Sequence, residues 1–281
     1  MHSYLNLLGK IVREGVDGSD RTGVGTRSLF GEQLRFDITQ GFPAVTTKKL
    51  AWKSMVSELI WFIEGSCDER RLAEIQHGTR DVSKTTIWTA NAQADYWKPK
   101  ARFDGDLGRV YGVQWRHWRK STGYEEVDQL RELIEGLKKD PTGRRHIISA
   151  WNPGEINKMA LPPCHMMAQF YLRNNKLSCM MTQRSCDAFL GLPFNIASYA
   201  LFTHLIAQTI GADVGELIIS LGDVHIYNNH LDAVATQLSR KPFDLPMLQL
   251  NPTVDVWSAT VNDCNLVGYE CHPTIKADMA V

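Results

Sequence analysis

Residues 167–184 read MAQFYLRNNKLSCMMTQR, two β-prone runs joined at an Asn-Asn pair. Asparagine tolerates the positive φ angles that a tight two-residue turn demands, so the stretch predicts a hairpin of strands over about 167–172 and 177–184. With Asn174 and Asn175 as the turn, Arg173 faces Lys176, and the ladder continues until Ser185 stands opposite Cys164 and Arg184 opposite His165. A one-residue slip is the alternative register. Diagonal β-carbons lie roughly 7–8 Å apart, within reach of a long side chain, so Arg184 can meet the Cys164 sulfur.

The hairpin leads back to LPPCH (161–165). Successive strand residues point to opposite faces, which turns His165 away from the neighbouring thiol and makes it a poor base for it. A guanidinium beside the sulfur would stabilise a thiolate and activate it. From local sequence two readings stand: a small buried strand residue, the commoner case, or a nucleophile.

Outward from the hairpin the chain is mixed α/β. Leu5, Leu8, Ile11 and Val12 mark a helix over 4–14; Met55, Val56, Leu59, Ile60 and Ile63 mark one from Trp52 to Glu64, with Glu58 among them. Val127, Leu130, Leu133, Ile134 and Leu137 mark a third. A strand is expected at 146–151 and a buried helix from Ile196 to Ile210, while residues 89–106 show no period and read as an irregular surface segment. No repeat or low-complexity linker divides the 281 residues, so one α/β domain over 1–281 is expected.

Lys+Arg and Asp+Glu are 31 each, so no bulk charge draws the chain to nucleic acid or a membrane, and an anion must be met by a local arginine cluster. Six cysteines without a CxxC pair or metal-finger spacing favour free thiols and no metal. The start MHSYLNLLGKIVREG lacks signal-peptide features, so a cytoplasmic protein is expected.

LPPCH followed by TQRSCDAFLGLPFNIASYALFTHLIAQ (182–208) resembles the thymidylate synthase family, and the resemblance runs in order through DRTGVGT (20–26), GFPAVTTKK (41–49), SELIWFIEG (57–65), GDLGRVYGVQWR (105–116), GRRHIISAWNPGE (143–155), GDVHIYNNHL (222–231) and IKADMAV (275–281). It implies an α/β (α+β) fold on a large mixed sheet, in a homodimer whose subunits share each site. The implied reaction is reductive methylation of dUMP to dTMP with 5,10-methylenetetrahydrofolate and no metal. Cys164 would add to C6 of the uracil, splitting one hard step into easier ones.

By the same resemblance Glu58 is an acid–base carboxyl acting through water near O4, its pKa raised by burial, and Tyr111 stands near the C5 proton. Arg184, Arg21 and the pair Arg144 and Arg145, the pair reaching in from the partner subunit, would hold the phosphate with the Ser185 hydroxyl; guanidinium forks suit its oxygens. Cys186 and Asp187 lie on the substrate side. The Asn195 amide would read uracil against cytosine, and His225 and Tyr227 would bind the sugar 3′-hydroxyl. Asp187, Trp88, Lys48 and the tail residues Ala280 and Val281 would contact folate.

Three departures fall mainly on the folate half: Arg109 where the family commonly has proline, Ala51 where some members carry histidine, and Asp278-Met279 for a frequent Pro-Val. The nearest rival is a dUMP hydroxymethylase, in which water replaces the hydride; Trp88 and a closing tail favour hydride by excluding water. A non-catalytic nucleic-acid binder is opposed by the balanced charge, and a Cys-His hydrolase by the direction of His165.

Overall fold

In the computed structural model, which describes residues 1–20, 22–120 and 125–278, Asn174 and Asn175 are the only described non-glycine residues at positive φ, 50° and 57°. The predicted turn is there, and Arg173 pairs with Lys176. The ladder keeps the expected register down to Met167–Thr182 and then shifts, so that His165 pairs with Gln183. The expected pairs Ser185–Cys164 and Arg184–His165 are thereby corrected. The cause is an extra residue, Met166, whose carbonyl turns outward to accept from Ala150 N at 2.8 Å and Trp151 N at 3.3 Å. Beyond it the Arg184 amide donates to the Cys164 carbonyl at 2.8 Å.

The chain runs α1 (His2–Glu14), β1 (Val16–Gly18), β2 (Thr26–Asp37), α2 (Trp52–Ile63), α3 (Glu69–His77), α4 (Thr89–Gln93), α5 (Tyr111–Arg116), β3 (Trp118–Arg119), β4 (Glu126–Val127), α6 (Gln129–Lys139), β5 (Ile147–Ser149), β6 (His165–Arg173), β7 (Lys176–Asp187), α7 (Gly191–Ile210), β8 (Asp213–Tyr227), α8 (Leu231–Leu238), β9 (Met247–Leu250) and β10 (Cys264–Val267). Six strands form one mixed sheet in the order β1-β2-β8-β7-β6-β5, antiparallel except for the β7–β8 pair. Parallel neighbours need a crossover, and α7 supplies it. Helix α7 begins five residues before the expected Ile196, because a proline in the first turn (Pro193) sacrifices no intrahelical bond. Residues 89–106 are more ordered than expected: α4 and a single 3-10 turn at Lys98–Lys100 occupy them.

One face of the sheet buries Leu34, Phe36, Ala168, Phe170, Leu177, Cys179, Met181, Leu217 and Ile219 under the helices. The other carries exposed Tyr171 and Ile147 and the pair Arg35–Glu216. No helix of the described residues is long and apolar enough to cross a membrane.

Candidate active site

Proline has no N–H, so two prolines before Cys164 end the ladder and leave two carbonyls without strand partners. The Arg184 guanidinium takes both: Nε donates to Pro163 O at 2.9 Å and Nη2 to Pro162 O at 3.1 Å. Held this way, Nη2 lies 3.9 Å from Cys164 Sγ, with the guanidinium 5.4 Å from the centre of the Trp151 ring. Burial pushes the Cys164 thiol up, and the Arg184 charge and a Tyr111 hydrogen bond pull it back. Cys164 stays partly exposed, whereas Cys179, Cys186 and Cys264 are buried.

Tyr111, the first residue of α5, accepts the Cys164 backbone N–H on its hydroxyl at 2.7 Å. Its other face stacks on His165 at 4.1 Å, and His165 Nδ1 meets the Tyr199 hydroxyl at 2.8 Å. His165 therefore faces α5 and α7. Burial lowers its pKa to about 3, so it is neutral and buttresses Tyr111. Gly112 permits this approach of α5 to α2, since a Cβ there would lie 2.5 Å from Phe62 O.

Glu58 is buried on α2 among Met55, Leu59 and Phe62. Its Oε1 accepts from the Trp88 indole at 2.7 Å. Burial raises its pKa to about 7, and the indole bond only partly offsets this. A carboxyl so poised exchanges protons near neutrality.

Asn195 lies in the first turns of α7, its Oδ1 accepting from Gln183 Nε2 at 3.2 Å; Gln183 Nε2 also donates to Ser185 O at 3.0 Å. Gln183 is buried and its Oε1 has no partner among the described residues. Sequence reasoning missed it as the group that orients Asn195, although it stands at the end of the buried alternation Leu177, Cys179, Met181, Gln183. The register sets Ser185 beside Asp223 and Asp187 beside His225. The His225 and Tyr227 rings lie 5.1 Å apart on one face of β8. Cys186 is 1 % exposed and paired with Val224 in the sheet, so its thiol faces the interior.

Asp187 Oδ1 caps its own turn, accepting from Phe189 N and Leu190 N at 2.8 and 3.0 Å. Lys48 is turned inward, donating to Phe189 O with its ammonium 3.5 Å over the Phe189 ring, and burial lowers its pKa to about 8. Trp88 is buried. Arg144 and Arg145 are exposed on the loop before β5, Arg145 lining a groove of about 480 Å³ with Trp118, Glu132 and His146. Arg21, Ala280 and Val281 lie outside the described residues. His230 Nε2 meets the carbonyl of Asp278, just before the last three residues. Arg109 forms a buried ion pair with Glu155, which also accepts from Gln114 at 3.0 Å.

A thiol between a guanidinium and a phenol, near a carboxyl titrating at neutrality, has the parts of a covalent-nucleophile enzyme. The family model for thymidylate synthase matches residues 2–281, and the chain belongs to that family. Its members transfer one-carbon units to dUMP in nucleotide biosynthesis, with methylenetetrahydrofolate as co-substrate.

Proposed function

We propose that the chain catalyses reductive methylation of dUMP to dTMP. The observation that carries this reading is the Arg184 guanidinium, fixed by the Pro162 and Pro163 carbonyls 3.9 Å from Cys164 Sγ. Cys164 adds as thiolate to C6 of the uracil, which makes C5 nucleophilic. Arg184 then serves twice, steadying the thiolate and holding the nucleotide phosphate with Arg21 and the Ser185 hydroxyl. Asn195, oriented by Gln183, reads the base edge.

Methylenetetrahydrofolate, when bound, supplies the one-carbon unit and then the hydride. The residues present fit it: Asp187 keeps Oδ2 to accept from a pterin, and Trp88 offers a flat wall. Lys48 would have to turn outward to meet the glutamate tail. Tyr111 stands near the C5 proton, its hydroxyl already beside residue 164; burial keeps it a neutral phenol, so it positions that proton and is not the base that removes it. Glu58 moves protons at O4 through water. Ala280 and Val281 close the folate side. The partner subunit contributes Arg144 and Arg145; the exposed Tyr171 and Ile147 on the open face of the sheet support a dimer.

Buried Trp88 favours hydride capture over water. The test is to incubate the enzyme with dUMP and methylenetetrahydrofolate and weigh the products. dTMP with dihydrofolate is expected; 5-hydroxymethyl-dUMP identifies a hydroxymethylase instead. Cys164→Ser abolishes exchange of the C5 proton, and retained exchange removes Cys164 from its role.

A further inference from the structure

Asp223 and His225 are two residues apart on β8 and so project to one side of the strand. His225 Nδ1 lies 2.8 Å from Asp223 Oδ1. The imidazole is nearly enclosed, its side chain 10 % exposed, whereas the carboxylate is 56 % exposed. The Asp223 side chain therefore contributes little to packing, and its hydrogen bond among the described residues is the one to His225. Two other carboxylates come close to His225: Asp20 is already engaged by Thr22 and Gly25, and Asp187, its neighbour on β7, turns Oδ1 to the amides of Phe189 and Leu190.

An ionised carboxylate only accepts, so the proton of that bond sits on Nδ1. In the neutral ring Nε2 is then left with a lone pair, an acceptor and not a donor. We propose that Asp223 is a positioning residue that fixes His225 in this tautomer, so that Nε2 accepts the proton of the sugar 3′-hydroxyl and the site selects nucleotides able to donate there. A 3′-deoxy or 3′-phosphorylated nucleotide offers no such proton and leaves Nε2 unpartnered. The inference rests on the assignment of His225 to the sugar made above.

The test compares equilibrium binding of dUMP and its 3′-deoxy analogue to the full-length protein and to Asp223→Ala, Asp223→Asn and His225→Ala. Asp223→Ala weakens dUMP about tenfold and leaves the 3′-deoxy analogue unchanged, the worth of one hydrogen bond. Asp223→Asn, whose amide oxygen still accepts from Nδ1, restores most of the discrimination. His225→Ala erases it. If Asp223→Ala weakens both ligands alike or neither, while His225→Ala still erases the preference, the dyad is overturned and the sugar assignment stands. If His225→Ala leaves the preference intact, the sugar assignment itself fails. Nitrogen-15 NMR of the wild-type imidazole gives a readout free of any variant: a proton on Nδ1 is expected, and a proton on Nε2 with bare Nδ1 overturns the proposal.

Discussion

The Trp88 indole donates to Glu58 Oε1 at 2.7 Å from within an apolar pocket, and it is the only side chain among the described residues that hydrogen-bonds that carboxyl. One neutral donor does not offset the loss of water, which is why the pKa of Glu58 rises to about 7.

A carboxyl raised in the folded state binds its proton more tightly there than in the unfolded chain. Stability from this group is therefore full below the ordinary carboxylate range and declines as pH rises towards 7. Glu58→Gln flattens that decline, measured as melting temperature between pH 4.5 and 8. It also lowers kcat by about 10²-fold or more. An unchanged melting profile would mean that Glu58 is ionised in the native state throughout.

Replacing Arg184 by glutamine takes away the charge beside Cys164 and leaves burial opposed by the Tyr111 hydrogen bond alone. The alkylation rate of Cys164 by iodoacetamide falls about tenfold at pH 8, and its midpoint moves to higher pH. Cys164→Ser provides the background from the other thiols. An alkylation rate unmoved by the substitution would remove Arg184 as the activating group.

Arg109→Ala leaves Glu155 buried without its closest cation. In the native chain burial pushes Glu155 up, but hydrogen bonds from Gln114 and Arg109 hold it below the ordinary range. Its contribution is thus present above the ordinary carboxylate range and lost as pH falls. Urea unfolding at pH 7 shows Arg109→Ala destabilised by about 3 kcal/mol, with Glu155→Gln added to it recovering much of the loss. Strict additivity of the two substitutions would deny the coupling.

Gly222 lets β8 pass close to Arg184, since a Cβ there would lie 2.7 Å from Arg184 O. Gly222→Ala strains the β7–β8 pair and costs about 1–3 kcal/mol. Because the strain falls on Arg184, dUMP binding weakens as well, read by titration. Wild-type affinity together with wild-type stability would show that the strands can part without disturbing the site.

The hairpin was legible because two asparagines specify a tight turn, and α2 and α6 because their apolar residues repeat at helical spacing. The long strands β2 and β8 were harder. Gly31 interrupts one and Gly215 and Gly222 the other, and the apolar alternation of Leu34 and Phe36 or Leu217, Ile219 and Leu221 is short, blurred on β8 by the outward Ile218. The approach of Arg184 to Cys164 followed from the hairpin, but not its register, since nothing in HMMAQ marks Met166 as the extra residue. The inward turn of Lys48 and the bond from Gln183 to Asn195 depend on contacts between segments far apart in sequence, which no local pattern carries.

The extra residue at Met166 reverses the inside-outside parity of β6. In the body of the strand Ala168 and Phe170 look towards the helices; past the bulge it is the odd-numbered His165 that does, which leaves the thiol on the side of Arg184. Were Met166 taken into the ladder instead of bulged out, unbroken alternation would turn the nucleophile into the interior and expel the imidazole, so the chemistry of this end of the sheet hangs on one residue left out of the pairing.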